Sequence, residues 1–372
     1  MSDITVSAVT LMGNKHKGRG VPCEDSSIAV QRDGVSCVVV ADGAGSKQYT
    51  HARFGSKSAC DTVSELLIDH FDALYYENRE AAVKSIIIAA VHVGFSKLIE
   101  EYKLDSLDRL SCTLLFCAVK DRRVIVGHIG DGLIACVSRN GVRPITMPQN
   151  GTNASSTYFV TAPHAADYLR LIKTTTDDIH GIALMTDGVQ DSVYDENSGL
   201  VKPVVASMVE TAAKGREKSE QEINSILSQY IVGASNNSDD ASFGIMLLDK
   251  TQGPDAGKLP KSADRFGKSE ETFKDLQTKM LPEVKKAKQI ITSCGTNPPP
   301  KTIAPGDDED VKTSDTKPVA VKKDEKEYAA DETKMKIKSN KDDKSSWILK
   351  AVALTELVAI IILLIKMFIL GG

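Results

Sequence analysis

The chain has 372 residues and a formal net charge of −4, and no basic stripe interleaved with aromatics appears, so nothing points to nucleic-acid binding. Its seven cysteines are odd in number and form no CxxC pair, and Cys37, Cys112, Cys117 and Cys136 lie inside apolar runs, as reduced core thiols do and disulfide frameworks do not. Large apolar residues concentrate before Lys250, which places the folded part in about residues 1–250.

Met1 to Met12 has no basic segment leading into an apolar one, so no secretory signal is expected, and the sequons at Asn153 and Asn236 then carry no weight. Thr5 to Met12 alternates as a strand. Gly13 to Pro22 reads as a loop carrying His16, Lys17 and Arg19, and it ends in Cys23-Glu24-Asp25 before a short strand over Ser26 to Val30. Arg32-Asp33-Gly34 signals a hairpin into Val35 to Ala41, a β-branched run that stops at Asp42-Gly43-Ala44-Gly45-Ser46. A carboxylate delivered by a strand end beside glycine can offer its own oxygens and a bare backbone carbonyl to one hard cation. Two helices follow, about Phe54 to Tyr76 and Arg79 to Tyr102, with apolar residues at three- and four-residue spacing.

A second group of strands, from Leu110 to Phe116 and from Val124 to Ile129, leads to Gly130-Asp131-Gly132, then to a strand over Leu133 to Val137 and a turn at Asn140-Gly141. After a polar stretch come Thr157 to Thr161, a helical segment near Ala165 to Leu171, and Gly181 to Met185, an apolar run ending in Thr186-Asp187-Gly188. Helices about Val204 to Ala213 and Ser219 to Ile231 precede Ser238-Asp239-Asp240-Ala241-Ser242 and a last strand over Phe243 to Leu248. Strand hairpins in two groups, each followed by helices, do not alternate as a doubly wound parallel sheet does, so the expected fold is α+β: a four-layer αββα sandwich of two mostly antiparallel sheets.

Asp25, Asp42, Asp131, Asp187 and Asp239 or Asp240 each stand where an apolar strand meets a turn. Carboxylates gathered this closely repel one another unless divalent cations neutralise them. The chemistry that uses such a cluster is hydrolysis of a phosphate ester by water that two cations activate, with no protein nucleophile.

In this order, Glu24-Asp25, Asp42-Gly43-Ala44-Gly45-Ser46, Gly130-Asp131-Gly132, Thr186-Asp187-Gly188 and Ser238-Asp239-Asp240-Ala241-Ser242 resemble the metal-dependent protein phosphatase family of the 2C type, in its bacterial branch. The resemblance covers about Ser7 to Leu248. It implies a serine/threonine protein phosphatase using Mn²⁺ or Mg²⁺, two ions and a possible third. It makes Asp42 the carboxylate bridging both metals, Gly43 a carbonyl ligand, Asp187 and Asp239 ligands of the first metal, Asp25 with Glu24 holders of the second, and Asp131 the ligand of a third. Asp239 is preferred to Asp240, although the family usually has Asp-Asn where this chain has Asp-Asp. Ala44 stands where many eukaryotic members carry a histidine proposed as general acid, so the proton for the leaving group would come from solvent at the metals or from another residue such as His16. Gly20 stands where those members place a phosphate-binding arginine, and Arg19 or Lys17 are the available substitutes.

Two other readings compete. Cys117 and Arg123 satisfy Cys-x5-Arg, but a cysteine phosphatase needs a glycine-rich loop at a helix N-terminus and this stretch reads as a hairpin. A pseudophosphatase, a phosphoprotein-binding module on the same fold, would show lost metal carboxylates, and none of the core ones is missing.

Beyond the domain, residues 251–293 are expected to form a partly helical extension interrupted near Pro282, and residues 294–346 a disordered charged linker. Trp347 to Leu370 has the length and apolarity of a single transmembrane helix, at the cost of Glu356. Lysines from Lys322 to Lys344 crowd its N-terminal side, which by the positive-inside tendency orients the catalytic domain to the cytoplasm. Expected partners are the membrane, phosphoserine and phosphothreonine proteins, and a membrane-associated kinase or its substrates.

Overall fold

A computed structural model of the protein describes residues 4–149, 157–236, 238–248 and 262–294, with side chains from 271 onward in the last segment. In chain order the strands and helices are β1 (Thr5–Leu11), α1 (Asn14–Arg19), β2 (Ser26–Arg32), β3 (Val35–Ala41), α2 (Ala52–Tyr76), α3 (Glu80–Tyr102), β4 (Leu114–Lys120), β5 (Arg123–Ile129), β6 (Leu133–Ser138) and β7 (Gly141–Thr146). They continue with α4 (Ala165–Tyr168), β8 (Arg170–Thr175), β9 (Gly181–Met185), α5 (Asp187–Val193), β10 (Tyr194–Asp195), β11 (Leu200–Val201), α6 (Val204–Glu210), α7 (Arg216–Ile226), β12 (Ala241–Leu247) and α8 (Ser262–Cys294). One sheet runs β1-β12-β9-β6-β7 and the other β2-β3-β4-β5-β8, every pairing antiparallel, with β10-β11 a small separate ribbon.

The sheets pack face to face between helices, and the strand sequences show why. Along β3, Val35, Cys37, Val39 and Ala41 face the core shared with α2 and α3, while Val38 and Val40 face the core between the sheets. β4 divides likewise, with Leu114, Phe116 and Ala118 toward the helices and Leu115, Cys117 and Val119 toward the other sheet. A strand covered on both faces must be apolar at every position, which explains uninterrupted runs where alternation would mark a solvated face. The second helical layer, α5 to α7, closes the outer face of the β1-containing sheet through Val189, Val205, Val209 and Ile223.

Several sequence expectations are corrected. The two strand groups are not the two sheets: β3 pairs with β4, so both hairpins lie in one sheet, and β1 pairs with β12 from the far end of the domain. The outer strands β7 and β8 were not anticipated. β7 carries Pro144 and β8 is half-buried except at the exposed Thr174, so neither shows the apolar run of a central strand. Helix α1 replaces the expected loop, ending at Gly20 in the left-handed region (φ 64°). The Asp33-Gly34 hairpin forms as expected, with both residues at positive φ (54° and 76°).

Helix α8 runs through Pro282 without a break and buries Phe273, Leu276 and Cys294 against the core of α2 and α3. Contacts on both sides of the proline offset the one lost backbone bond. Among the described residues only α3 is long and apolar enough to cross a membrane, and it is a core helix packed on α2 and α8. The span read at 347–370 and the linker before it, from 295, lie outside the described residues.

Candidate active site

The register of the sheets gathers the acidic motifs at one end of the sandwich. Ser26 faces Ala41, Met185 faces both Leu133 and Phe243, and Leu114 faces Ile129. Asp25, Asp42, Asp131, Asp187 and Asp240 each sit one or two residues beyond such a strand end, so five segments far apart in sequence deliver carboxylates to one rim. Ligand oxygens of Asp42, Asp131 and Asp187 lie within 4.8 Å of one another.

Each carboxylate is held by its neighbours. The Asp42 amide donates to Thr113 Oγ1 (3.0 Å) and the Thr113 amide to the Asp42 carbonyl (2.8 Å), tying the end of β3 to the start of β4. Thr186 Oγ1 donates to Asp25 Oδ2 (2.7 Å) and accepts from the Ser242 amide (2.9 Å). Gly43 must be glycine, because a Cβ there would come within 2.5 Å of the Glu24 carbonyl oxygen. That close approach brings the Glu24-Asp25 segment beside the Asp42-Gly43 turn.

Burial raises the pKa of Asp25, Asp42, Asp131 and Asp187, most strongly where neighbouring carboxylates add repulsion. Asp25 is pushed up to about 7, by burial first. Asp187 reaches about 8 through burial and the charges of Asp131, Asp25 and Asp239. Asp42 lies well above the ordinary range through burial and then Asp187 and Asp25, and Asp131 is raised by burial. Glu24, also desolvated, reaches about 7. Asp25 Oδ1 and Asp131 Oδ1 are buried and accept no hydrogen bond from any protein group. Crowded carboxylates with orphaned inward oxygens are a donor set for hard divalent cations, and these residues fit that group.

The two adjacent aspartates before β12 differ sharply. Asp240, 3 % exposed, accepts from the Gly13 amide at Oδ1 (2.7 Å) and from the Glu24 amide (2.6 Å) and His16 Nδ1 (2.7 Å) at Oδ2. Its oxygens are committed to donors of the fold. Asp239 stays half-exposed and takes one ion pair, from Lys15 Nζ at 2.6 Å. His16 is therefore not a free loop side chain: it is 5 % exposed, and its Nε2 lies 3.6 Å from Glu24 Oε2. Lys17 and Arg19 are exposed on the same helix.

Two residues near the cluster escaped sequence reasoning. Lys15 on α1 is the cation paired with Asp239, a contact across 224 residues that no local signal marks. Asp191 lies one turn along α5 from Asp187, near enough to raise Asp131, and its i,i+4 spacing was the signal. By contrast, Cys117 is fully buried on β4 and its thiol is pushed up by burial, while Arg123 is bound to Asp72 and Asp121, so no cysteine nucleophile assembles there. None of the cysteines is joined in a disulfide.

Because both Asp240 oxygens face only donors, Asp240→Asn must turn an amide N–H toward another N–H. That variant is expected to lose about 1–3 kcal/mol of stability and about tenfold in divalent-cation affinity through the displaced Glu24 segment. Thermal melts and cation titration check both, and an unchanged pair of values would show that Asp240 clamps nothing.

The profile of the family described as Protein phosphatase 2C matches residues 12–228, more than half of the chain. The chain belongs to the protein phosphatase 2C family. It is by class a phosphoprotein phosphatase, a hydrolase. Serine/threonine-protein phosphatase 3 of Escherichia coli (strain K12) is 25 % identical over 187 residues, 48 % of this chain and 71 % of the relative. Among solved structures, the serine/threonine phosphatase Stp1 from Staphylococcus aureus is similar with TM-score 0.45 and 14 % identity, over 67 % of this chain and 96 % of its own. The catalytic domain of the phosphatase PstP, in complex with two manganese ions, is similar with TM-score 0.44 and 16 % identity, over 67 % of this chain and 99 % of its own.

Proposed function

We propose that this phosphatase hydrolyses phosphoserine and phosphothreonine in proteins with two Mn²⁺ or Mg²⁺ ions, and that a C-terminal span holds it to a membrane with the catalytic domain in the cytoplasm. The observation that carries the catalytic part is the rim of carboxylates whose buried oxygens on Asp25 and Asp131 have no protein donor. In this arrangement Asp42 would be the shared ligand, since its carboxylate lies within 4.8 Å of ligand oxygens of both Asp131 and Asp187. Asp187 and Asp239 would complete one position, and Asp25, Glu24 and the Gly43 carbonyl would hold the other. Asp131, with Asp191 near it, would serve a third. Asp240 is left out, since its oxygens are spent on Gly13, Glu24 and His16.

Bound there, two divalent cations neutralise phosphate oxygens and lower the pKa of water. The chain's own part is to fix that geometry. Thr186 holds Asp25, Thr113 holds the Asp42 backbone, and Lys15 restrains Asp239 from swinging toward solvent. Hydrolysis of p-nitrophenyl phosphate and of phosphothreonine peptides should require Mn²⁺ or Mg²⁺ and stop with a chelator. Metal-independent turnover, or none with either ion, would refute the catalytic reading; the second result favours a binding module.

The membrane part rests on residues 347–370 as read from sequence. A charged tether of about 50 residues would let the domain reach substrates fixed in the same membrane at raised effective concentration, a membrane-associated kinase among them. Fractionation should leave the full chain in a carbonate-resistant membrane pellet and a chain ending near Ser345 in the soluble fraction with its activity. Release of the full chain by carbonate would replace spanning with surface attachment.

A further inference from the structure

A cavity of about 360 Å³ lies beside the cluster, walled by the turn after the Asp42 motif, the Ser106–Ser111 turn and the Thr157–Ala162 segment. Its walls are bonded to the catalytic rim. The Ala44 amide, two residues past Asp42, donates to the Ser111 carbonyl, and Thr157, which lines the cavity, donates to the Gln149 carbonyl (3.5 Å), whose own amide donates to the carbonyl of Gly130 beside Asp131 (2.9 Å). A chain whose phosphoresidue sits at the rim can therefore lay a flanking residue in this groove.

The groove's polar groups are largely spent on one another. Ser111 Oγ and Thr161 Oγ1 share a hydrogen bond of 2.6 Å. Arg109 gives Nε and Nη2 to Asp105 (2.7 and 2.9 Å) and Nη1 to the Gln48 carbonyl (2.7 Å), so its charge is compensated and its fork occupied. What remains is an aromatic wall, Tyr49 edge-to-face with Phe159 at 5.6 Å, and the exposed carboxylate of Asp108, which among the described residues has no ion pair. An aromatic wall with one uncompensated carboxylate at its mouth suits an alkyl stem carrying a cation.

We infer that this groove binds a lysine or arginine flanking the phosphoresidue, making the enzyme selective for basic phosphopeptides. The inference rests on the phosphatase reading for the placement of the phosphate, and it adds the class of substrate.

The test uses labelled phosphothreonine peptides on an alanine background, with arginine, alanine or glutamate at each position within three residues of the phosphate. Binding is read by fluorescence anisotropy, and hydrolysis of p-nitrophenyl phosphate is followed in parallel. The parent should bind the best arginine peptide about fivefold more tightly than its alanine counterpart. Asp108→Asn should erase that difference and Asp108→Lys should reverse it toward glutamate, while p-nitrophenyl phosphate turnover stays at the parent rate. Tyr49→Ala should weaken the arginine peptide without touching the small ester.

A parent that ranks arginine and glutamate peptides equally overturns the groove, as does an Asp108→Lys variant that keeps the parent's order. A parent that discriminates the peptides but hydrolyses nothing refutes the phosphatase reading and leaves the groove standing.

Discussion

Asp42→Asn is expected to lower metal-dependent turnover by more than about a hundredfold, since losing a group that merely orients a metal ligand already costs up to about that much. The domain should nonetheless fold. Asparagine keeps the shape of the side chain and leaves the Thr113 bonds to the Asp42 backbone untouched. It also removes a buried carboxyl whose ionised form Asp187, Asp25 and Asp131 oppose in the metal-free protein. The metal-free variant should therefore melt above the metal-free parent at pH 8. Circular dichroism, thermal melts and steady-state kinetics on the same preparation separate these effects. A variant with parental turnover would refute the assignment of Asp42, and one that fails to fold would refute the claim that its role is ligation rather than architecture.

The second large effect links cation and proton. Asp25 near 7 and Asp187 near 8 both lie above the range of an unfolded carboxylate, about 4. Between those limits the folded metal-free protein holds more protons than the unfolded chain, so its stability falls as pH rises from about 4 through 8. A divalent cation replaces those protons, and its stabilisation should grow over the same window. With free cation at about a hundred times its dissociation constant, the melting temperature should rise by about 5–10 °C at pH 8. The rise should be clearly smaller at pH 5.5. Comparison with Asp42→Asn cancels contributions from residues elsewhere. A metal-free parent whose stability climbs from pH 5.5 to 8, relative to that variant, would contradict the clustered geometry.

The structure also explains which sequence signals carried information. The apolar runs of β3, β4, β5 and β9 marked central strands because burial on two faces leaves no polar position free, and each of β3, β5 and β9 was followed by an Asp and a Gly that fit only at a strand end. The outer strands β7 and β8 lacked that signature for the same reason, since one side of each meets solvent. α1 is too short, at six residues, for a helical period to show against the loop composition around it.

The sequence by itself therefore determined the family and the two-sheet architecture and singled out the aspartates at the strand ends, because these depend on short-range patterns repeated in a particular order. Only the tertiary structure decided which strands share a sheet, because β1 and β12 are joined by hydrogen bonds between residues more than 200 positions apart. Only it separated Asp239 from Asp240, neighbours of identical chemistry. One faces Lys15 and solvent, while the other is enclosed by Gly13, His16 and Glu24. That distinction comes from which donors the fold brings against each oxygen, and no local stretch of chain contains both sides of such a contact.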